Sequence, residues 1–399
     1  MSNTNSKHVA KLAFRFVIII GIVNLFADMA YEGGRSISGP FLGSLGASAT
    51  IIGFVAGFGE LLGYSLRSIS GYFSDKTHRY WIFTFIGYVT NVLAVPALAL
   101  AGNWPLAAAL IVTERTGRAI RKPAVDAMIS YAGKSIGRGW VFGLNEGLDQ
   151  AGAAISPLIV ALVIYLNGGY RYAFAVLLIP ALLCLATLVV ARISHPTPHE
   201  MEQEPADFSE AKGFPKAFWL FTGAGALIAA GFADFSLIAF HFQKASIVPQ
   251  QDIPLVYAIA MGAGALSNLL FGRLFDRIGF PIVCLAFLVG AMFGPMVFLG
   301  QFWLASLGMA VWGIGMGAQN SLLKALLASV ITASKRSTGF GLFYTCYGVA
   351  WFLGSATMGF LYDISLTSLV LLSVALQLLA LPIFMWGRSA SIAKQKHAS

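Results

Sequence analysis

The chain has 399 residues, of which 57% are hydrophobic and 11% charged, whereas a soluble domain carries about 25% charged residues. So few charges cannot cover an aqueous surface, and the composition points to lipid as the solvent. The formal net charge of +9 invites a nucleic-acid reading, but the basic residues are scattered between apolar segments rather than gathered in a patch. No low-complexity run supports a collagen-like or disordered class.

A bilayer-crossing helix needs about 20 predominantly apolar residues, and twelve stretches supply them. Residues 1–12 are polar, and the first apolar run, 13–35, is followed by no small-residue cleavage site, so it reads as an uncleaved first span. This span carries Asp28, Glu32 and Arg35, spaced by four and three and therefore on one helix face. The second span, 48–70, holds Glu60 and Arg67, seven apart on one face. The third is 80–101, and the fourth, 105–119, holds Glu114, Arg115 and Arg118. The fifth, 140–166, carries Asn145, Glu146 and Asp149, and the sixth is 172–191.

A long, polar, acidic connection comes next, at 193–216, and reads as a solvated linker. The second set runs 217–243, with Asp234 and His241; 253–275, with Asn268; 280–300; 302–329, with Gln319, Asn320 and Lys324; 339–362, with Tyr344 and Tyr347; and 365–386. The expected organisation is an all-α membrane protein of two six-helix bundles, residues 1–192 and 217–399, joined by the linker 193–216.

Lys and Arg concentrate in cytoplasmic loops. With both termini placed inside, only Arg35, Arg171 and Lys244 fall outside and Arg67, Arg115, Arg118 and Lys324 within spans; the rest of the 26 lie inside. Arg121 and Lys122 count among the inside loop residues in this partition. Both termini are therefore expected to be cytoplasmic, in a multi-pass protein of the inner membrane. The +9 becomes a statement about orientation.

Self-comparison at an offset near 200 returns three matches in order. Phe26-Ala27-Asp28 recurs as Phe232-Ala233-Asp234, Gly71 to Lys76 recurs as Gly272 to Arg277, and Phe142-Gly143-Leu144 recurs as Phe340-Gly341-Leu342. Each lands on the equivalent span. Two homologous halves related by an axis along the membrane normal are expected.

The loop Gly71-Tyr-Phe-Ser-Asp75-Lys76-Thr-His-Arg79, between the second and third spans, resembles the signature of the major facilitator superfamily. Its second copy, with Gly272, Asp276 and Arg277, sits where that family places one, and the resemblance covers essentially the whole chain. It implies a secondary transporter working by alternating access. The motif also makes physical sense by itself. Gly71 lets helices approach closely, and Asp75 or Asp276 can pair with Lys76, Arg79 or Arg277 as a latch that one conformation holds closed.

Ionisable groups at membrane depth are costly, so they are expected to face a lined interior or a proton relay, or to neutralise one another between helices. A carboxylate that protonates in a dry site and ionises beside a cation can couple transport to protons. Asp28, Glu32, Asp234 with His241, Glu146 and Asp149 are the candidates. Arg35, Glu60, Arg115, Arg118, Asn145, Asn268, Gln319, Asn320, Lys324, Tyr344 and Tyr347 are the substrate-cavity candidates. The cations and amides slightly favour an anionic or zwitterionic organic solute, or a metal chelate, while the carboxylates would serve a cationic drug.

Drug-proton antiporters of this superfamily carry a Gly-rich signature ending in Gly-Pro in the fifth span. Here Gly147 to Pro157 ends in Ser156-Pro157, a partial match. The remaining class is a sensor or lipid-handling protein on the same scaffold. No P-loop, GxSxG or HExxH motif occurs, the six histidines are scattered, and Cys184, Cys284 and Cys346 lie in apolar runs. The expectation is a monomer in lipid that works on a small molecule and H+, without catalysis, cofactor, bound metal or nucleic acid.

Overall fold

The computed structural model describes residues 2–77, 79–136, 138–166, 168–196, 213–331 and 336–396. The described residues are helical, with no strand among them. The elements are α1 Ser2–Ser44, α2 Ala49–Thr77, α3 Tyr80–Ala97, α4 Trp104–Ile136, α5 Arg138–Tyr165, α6 Gly169–Val176, α7 Leu178–Ser194, α8 Lys216–Gly231, α9 Phe235–Lys244, α10 Ile253–Ile278, α11 Pro281–Ala291, α12 Phe293–Leu299, α13 Phe302–Ala318, α14 Lys324–Val330, α15 Arg336–Ile364 and α16 Leu366–Lys396. Among the described residues, 8 helices are long and apolar enough to cross a membrane.

Several spans are built from two helices, and the local chemistry says why. Pro180 and Pro295 lack the N–H that would continue the ladder, and their rings crowd the carbonyls four residues back. The helices accordingly break after Val176 and after Ala291. Residues Gln319–Leu323 form a π-helical turn between α13 and α14. Such turns are rare and frequently found at functional sites.

The repeated Phe-Ala-Asp triplet folds in two ways. Phe26-Ala27-Asp28 lies inside the unbroken α1, whereas Phe232-Ala233-Asp234 is the break between α8 and α9. Asp234 is extended there and caps α9, its Oδ1 accepting from the Ser236 N–H at 2.9 Å. The carbonyls freed by the break also find donors. Gly231 accepts from Ser373 Oγ at 2.6 Å and Gln377 Nε2 at 3.2 Å, and Ala233 from Trp312 Nε1 at 2.9 Å. In lipid a broken helix is tolerated only when its backbone is satisfied in this way.

The chain forms two compact units, Met1–Ser38 with Ser65–Ala206, and Gly39–Tyr64 with Asp207–Ser399. The first has a core of Phe16, Val17, Ile20, Trp81, Tyr88, Val125, Met128 and Leu188 from α1, α3, α4 and α7. Within it α3 and α4 touch backbone to backbone: a Cβ on Gly117 would stand 2.5 Å from the Asn91 nitrogen, and one on Gly87 2.6 Å from that of Arg121. This approach, typical of small residues between membrane helices, brings Asn91 and Arg121 alongside Tyr88 and Glu114. We expect Gly117→Leu to separate α3 from α4 and to lower stability by about 3 kcal/mol or more, the upper range for overpacking. A thermal melt of the purified protein in detergent checks this.

The second unit is centred on stacked aromatics. Phe232, Phe235, Tyr257, Phe293, Trp312 and Trp351 pack at ring separations of 4.1 to 6.4 Å. Residues 39–64 join this unit through glycine: a Cβ on Gly53 would meet the Ser355 carbonyl at 2.4 Å, and Thr50 donates to Asp363 Oδ2 from its N–H (2.9 Å) and hydroxyl (2.7 Å).

Candidate functional site

In the first unit, charged and aromatic side chains of α1, α3, α4 and α5 converge. Arg115, Arg118 and Arg121 recur every third residue on α4 and so form a stripe along one face. The helix reaches beyond the predicted span 105–119 to Ile136, through Pro123. Ser70 Oγ donates to the Ile120 carbonyl at 2.6 Å, next to the carbonyl of Ala119 that Pro123 leaves without an N–H. Arg121, counted in the inside loop by the positive-inside partition, is instead 3% exposed and part of this site.

Arg121 has three partners. Its Nη1 donates to Asn24 Oδ1 at 3.1 Å, its Nη2 lies 3.6 Å from Asp28 Oδ1, and its guanidinium sits 4.4 Å from the Tyr88 ring centroid. Tyr88 also donates to Asn24 Oδ1, and Asn24 Nδ2 donates to Asn145 Oδ1 at 2.7 Å. The network fixes α1, α3, α4 and α5 against one another. Arg115 pairs with Glu114 at 3.5 Å and donates to the Tyr31 hydroxyl, while Glu114 accepts from Asn91 Nδ2 at 2.6 Å. Arg35 donates to the same Tyr31 hydroxyl at 3.2 Å.

Arg118 differs. Its guanidinium lies 4.2 Å from the Tyr31 ring centroid, and among the described residues it makes no hydrogen bond or ion pair. It is half-buried. The charges that act on Asp28 are those of Arg118, Arg121 and Lys122, opposed by Glu32, which is buried beside it on α1. Lys122 reaches Asp126 at 3.5 Å and Asp149 at 3.9 Å.

Of the sequence candidates, Asp28, Glu32, Arg35, Arg115, Arg118, Asn145 and Asp149 all belong to this first unit. Sequence reading passes over Asn24, Tyr31, Tyr88, Asn91, Arg121 and Lys122. Two of these carry a visible signal: Tyr31 falls three after Asp28 and four before Arg35, on their stripe, and Arg121 continues the three-residue spacing of Arg115 and Arg118. The neutral Asn24, Tyr88 and Asn91 carry none, since an isolated amide or phenol in an apolar run is legible only once its partner is known.

The remaining candidates, apart from Glu146 on α5, lie in the second unit. Tyr347 donates its hydroxyl to Gln319 Oε1 in the π-turn, and Tyr64 stacks on Tyr344 at 5.7 Å and meets Tyr347 edge-on at 5.5 Å. Glu60, one turn before Tyr64, and Asn268 are half-buried, while Asn320 and Lys324 are exposed. His241 is buried, its Nδ1 3.0 Å from the Tyr362 hydroxyl and its ring against Phe298. Asp234 is the cap at the start of α9.

For the two signature loops, Gly71 faces Pro123, a Cβ on it lying 3.4 Å away, and Lys76, Arg79 and Arg277 are exposed. Gly272 and the side chains of Asp75, Asp276 and Glu146 lie outside the described residues. Among the described residues, no three of His, Cys, Asp and Glu gather as metal ligands.

The family model described as Major Facilitator Superfamily matches residues 20–355. An uncharacterized protein of Mycobacterium bovis is 37% identical over 387 residues, 96% of this chain and 95% of that one. An uncharacterized MFS-type transporter of Methanocaldococcus jannaschii is 26% identical over 374 residues, 91% and 92% of the two chains. The crystal structure of the nucleoside transporter NupG superimposes with a TM-score of 0.71 at 13% identity, covering 95% of this chain and 98% of that one. That likeness concerns the fold.

Proposed function

This chain belongs to the major facilitator superfamily, a multi-pass membrane protein and secondary transporter, and we propose that it carries a small organic anion or zwitterion together with protons by alternating access. The observation that carries the reading is Arg118, a guanidinium at membrane depth with an aromatic face beneath it and, among the described residues, no hydrogen bond or ion pair. An arginine there is costly unless something anionic completes it. A substrate carboxylate or similar oxyanion supplies that partner, and the planar fork of the guanidinium suits it.

Charge balance links the anion to protons. Among the described side chains around the α4 stripe, Arg35, Arg115, Arg118, Arg121 and Lys122 are matched one for one by Asp28, Glu32, Glu114, Asp126 and Asp149. An added anion would be in excess. Protonation of Asp28 and Glu32 removes two negative charges, and the arginines they opposed then favour the anion. Anion and protons therefore travel together, and an inward proton gradient drives uptake. In this reading both termini are cytoplasmic, the protein works as a monomer of two halves joined by the linker 193–216 in the inner membrane, and the Gly71 and Gly272 loops are its latch.

The test is transport in proteoliposomes under an imposed pH gradient, with the double substitution Asp28→Asn and Glu32→Gln. We expect uptake to lose its dependence on the gradient and to fall to the rate of passive exchange. Gradient-driven uptake that persisted unchanged would end the proton assignment.

A second reading, export of cationic compounds, is favoured by Glu60 near Tyr64, Tyr344 and Tyr347, since carboxylates and ring faces attract organic cations. Deletion strains separate the two. An importer's strain loses growth on one nutrient, and an exporter's gains sensitivity to several unrelated compounds.

A further inference from the structure

Tyr31 occupies an unusual place. It is 2% exposed, at the centre of the α1 and α4 arginines. Arg35 Nη1 and Arg115 Nη1 both donate to its one hydroxyl oxygen, and the guanidinium groups of Arg118 and Arg115 lie 4.2 and 4.8 Å from its ring centroid. A neutral phenol oxygen carries no charge to offset two guanidinium ions, whereas an oxyanion adds ionic attraction to the same hydrogen bonds. The phenol thus stands where an oxyanion would be bound better.

We propose that the Tyr31 hydroxyl holds the place of a substrate oxyanion, and that this oxyanion is a phosphate- or phosphonate-type group. The proposal rests on the anion reading above and names its class. A carboxylate has two oxygens and is filled by one guanidinium fork. Three guanidiniums directed at one side chain match a group with three terminal oxygens, one for each of Arg35, Arg115 and Arg118. When such a group enters, Arg35 and Arg115 transfer their N–H donors from the phenol to its oxygens, Arg118 gains its ion pair, and Tyr31 is released. Without substrate the phenol keeps the arginines gathered and spaced; in the loaded protein it is displaced. Tyr31 therefore both positions the arginines and competes with the substrate.

The experiment measures binding of inorganic phosphate, methylphosphonate and acetate to the full-length protein in detergent, wild type and Tyr31→Phe, by thermal shift and calorimetry. The wild type is expected to bind phosphate and methylphosphonate and not acetate. Tyr31→Phe, which keeps the ring under Arg118 and removes the competing oxygen, is expected to bind them roughly tenfold more tightly. Equal or weaker binding by the variant overturns the placeholder while leaving the anion reading intact. Preference for acetate overturns the phosphate-type class. No stabilisation by any of the three in either protein overturns the anion reading and this proposal with it. A second measurement needs no variant: hydroxyl-radical labelling of Tyr31 in the wild type is expected to rise when methylphosphonate is added, and an unchanged labelling rate overturns the displacement.

Discussion

Arg118→Gln is expected to abolish transport while leaving the fold at least as stable as the wild type. The two effects separate because of what Arg118 touches. Among the described residues its contact is the face of Tyr31, worth about 0.5–2 kcal/mol, and the charges of Asp28, Glu32 and Glu114 act on it without forming an ion pair. Against that stands the cost of keeping a guanidinium at membrane depth, about 2.5–3.5 kcal/mol on insertion scales, which the substitution removes. We expect uptake of the anionic solute into proteoliposomes to fall at least ~100-fold, the equivalent of about 3 kcal/mol of lost substrate interaction. The melting midpoint in detergent should be unchanged or higher. Arg118→Lys is expected to restore little, since an ammonium neither stacks on Tyr31 nor offers a planar fork. A melting midpoint that dropped sharply would make Arg118 a structural residue and remove the main support for the anion.

Arg121→Leu should do the opposite, costing stability first. Arg121 is held by Asn24, Asp28 and Tyr88 together, and its removal takes the ion-pair partner from a buried carboxylate, while Asn24 Oδ1 keeps its hydrogen bond from Tyr88. Breaking a buried pair by deleting one partner costs about 3–5 kcal/mol. Adding Asp28→Leu to Arg121→Leu is expected to recover a large part of this, because the carboxylate left alone is then gone as well. Denaturant unfolding of the two single variants and the double variant gives the coupling energy directly. Additive losses, with no recovery in the double variant, would mean that Arg121 is held by Tyr88 and Asn24 rather than by its charge.

The contrast between two arginines one turn apart shows where sequence reading stops. Arg115 and Arg118 stand out as charges inside an apolar run, and their membrane depth comes from composition. Arg121 is lost because the apolar stretch ends at Ala119 and the positive-inside count assigns the next residues to a loop. The helix continues through Pro123, with Ser70 on α2 donating to the neighbouring Ile120 carbonyl, and no property of the residues after Ala119 announces a donor fifty positions away in the chain. Asp28 and Asp234 make the same point. They occupy equivalent places in an internal repeat, yet one is an ion-pair partner inside a continuous helix and the other caps a new one. The difference lies with Ser373, Gln377 and Trp312, which satisfy the carbonyls freed at the second site.

Composition and the spacing of apolar runs were enough to establish a helical membrane protein, because the bilayer forces every span to be long, apolar and self-satisfied in hydrogen bonds; the family was legible only through the resemblance of the loop from Gly71 to Arg79. The stripe of Asp28, Glu32 and Arg35 was equally open to view, since helical periodicity is local. Pairing was not. Whether a membrane arginine is neutralised or left for a ligand depends on how neighbouring helices are rotated and how near they come. That distance is governed here by contacts such as Gly87 on Gly117, where the absence of a side chain on both helices lets Asn91, Glu114 and Arg121 draw together. Only the tertiary structure could therefore separate Arg121, which is paired within the fold, from Arg118.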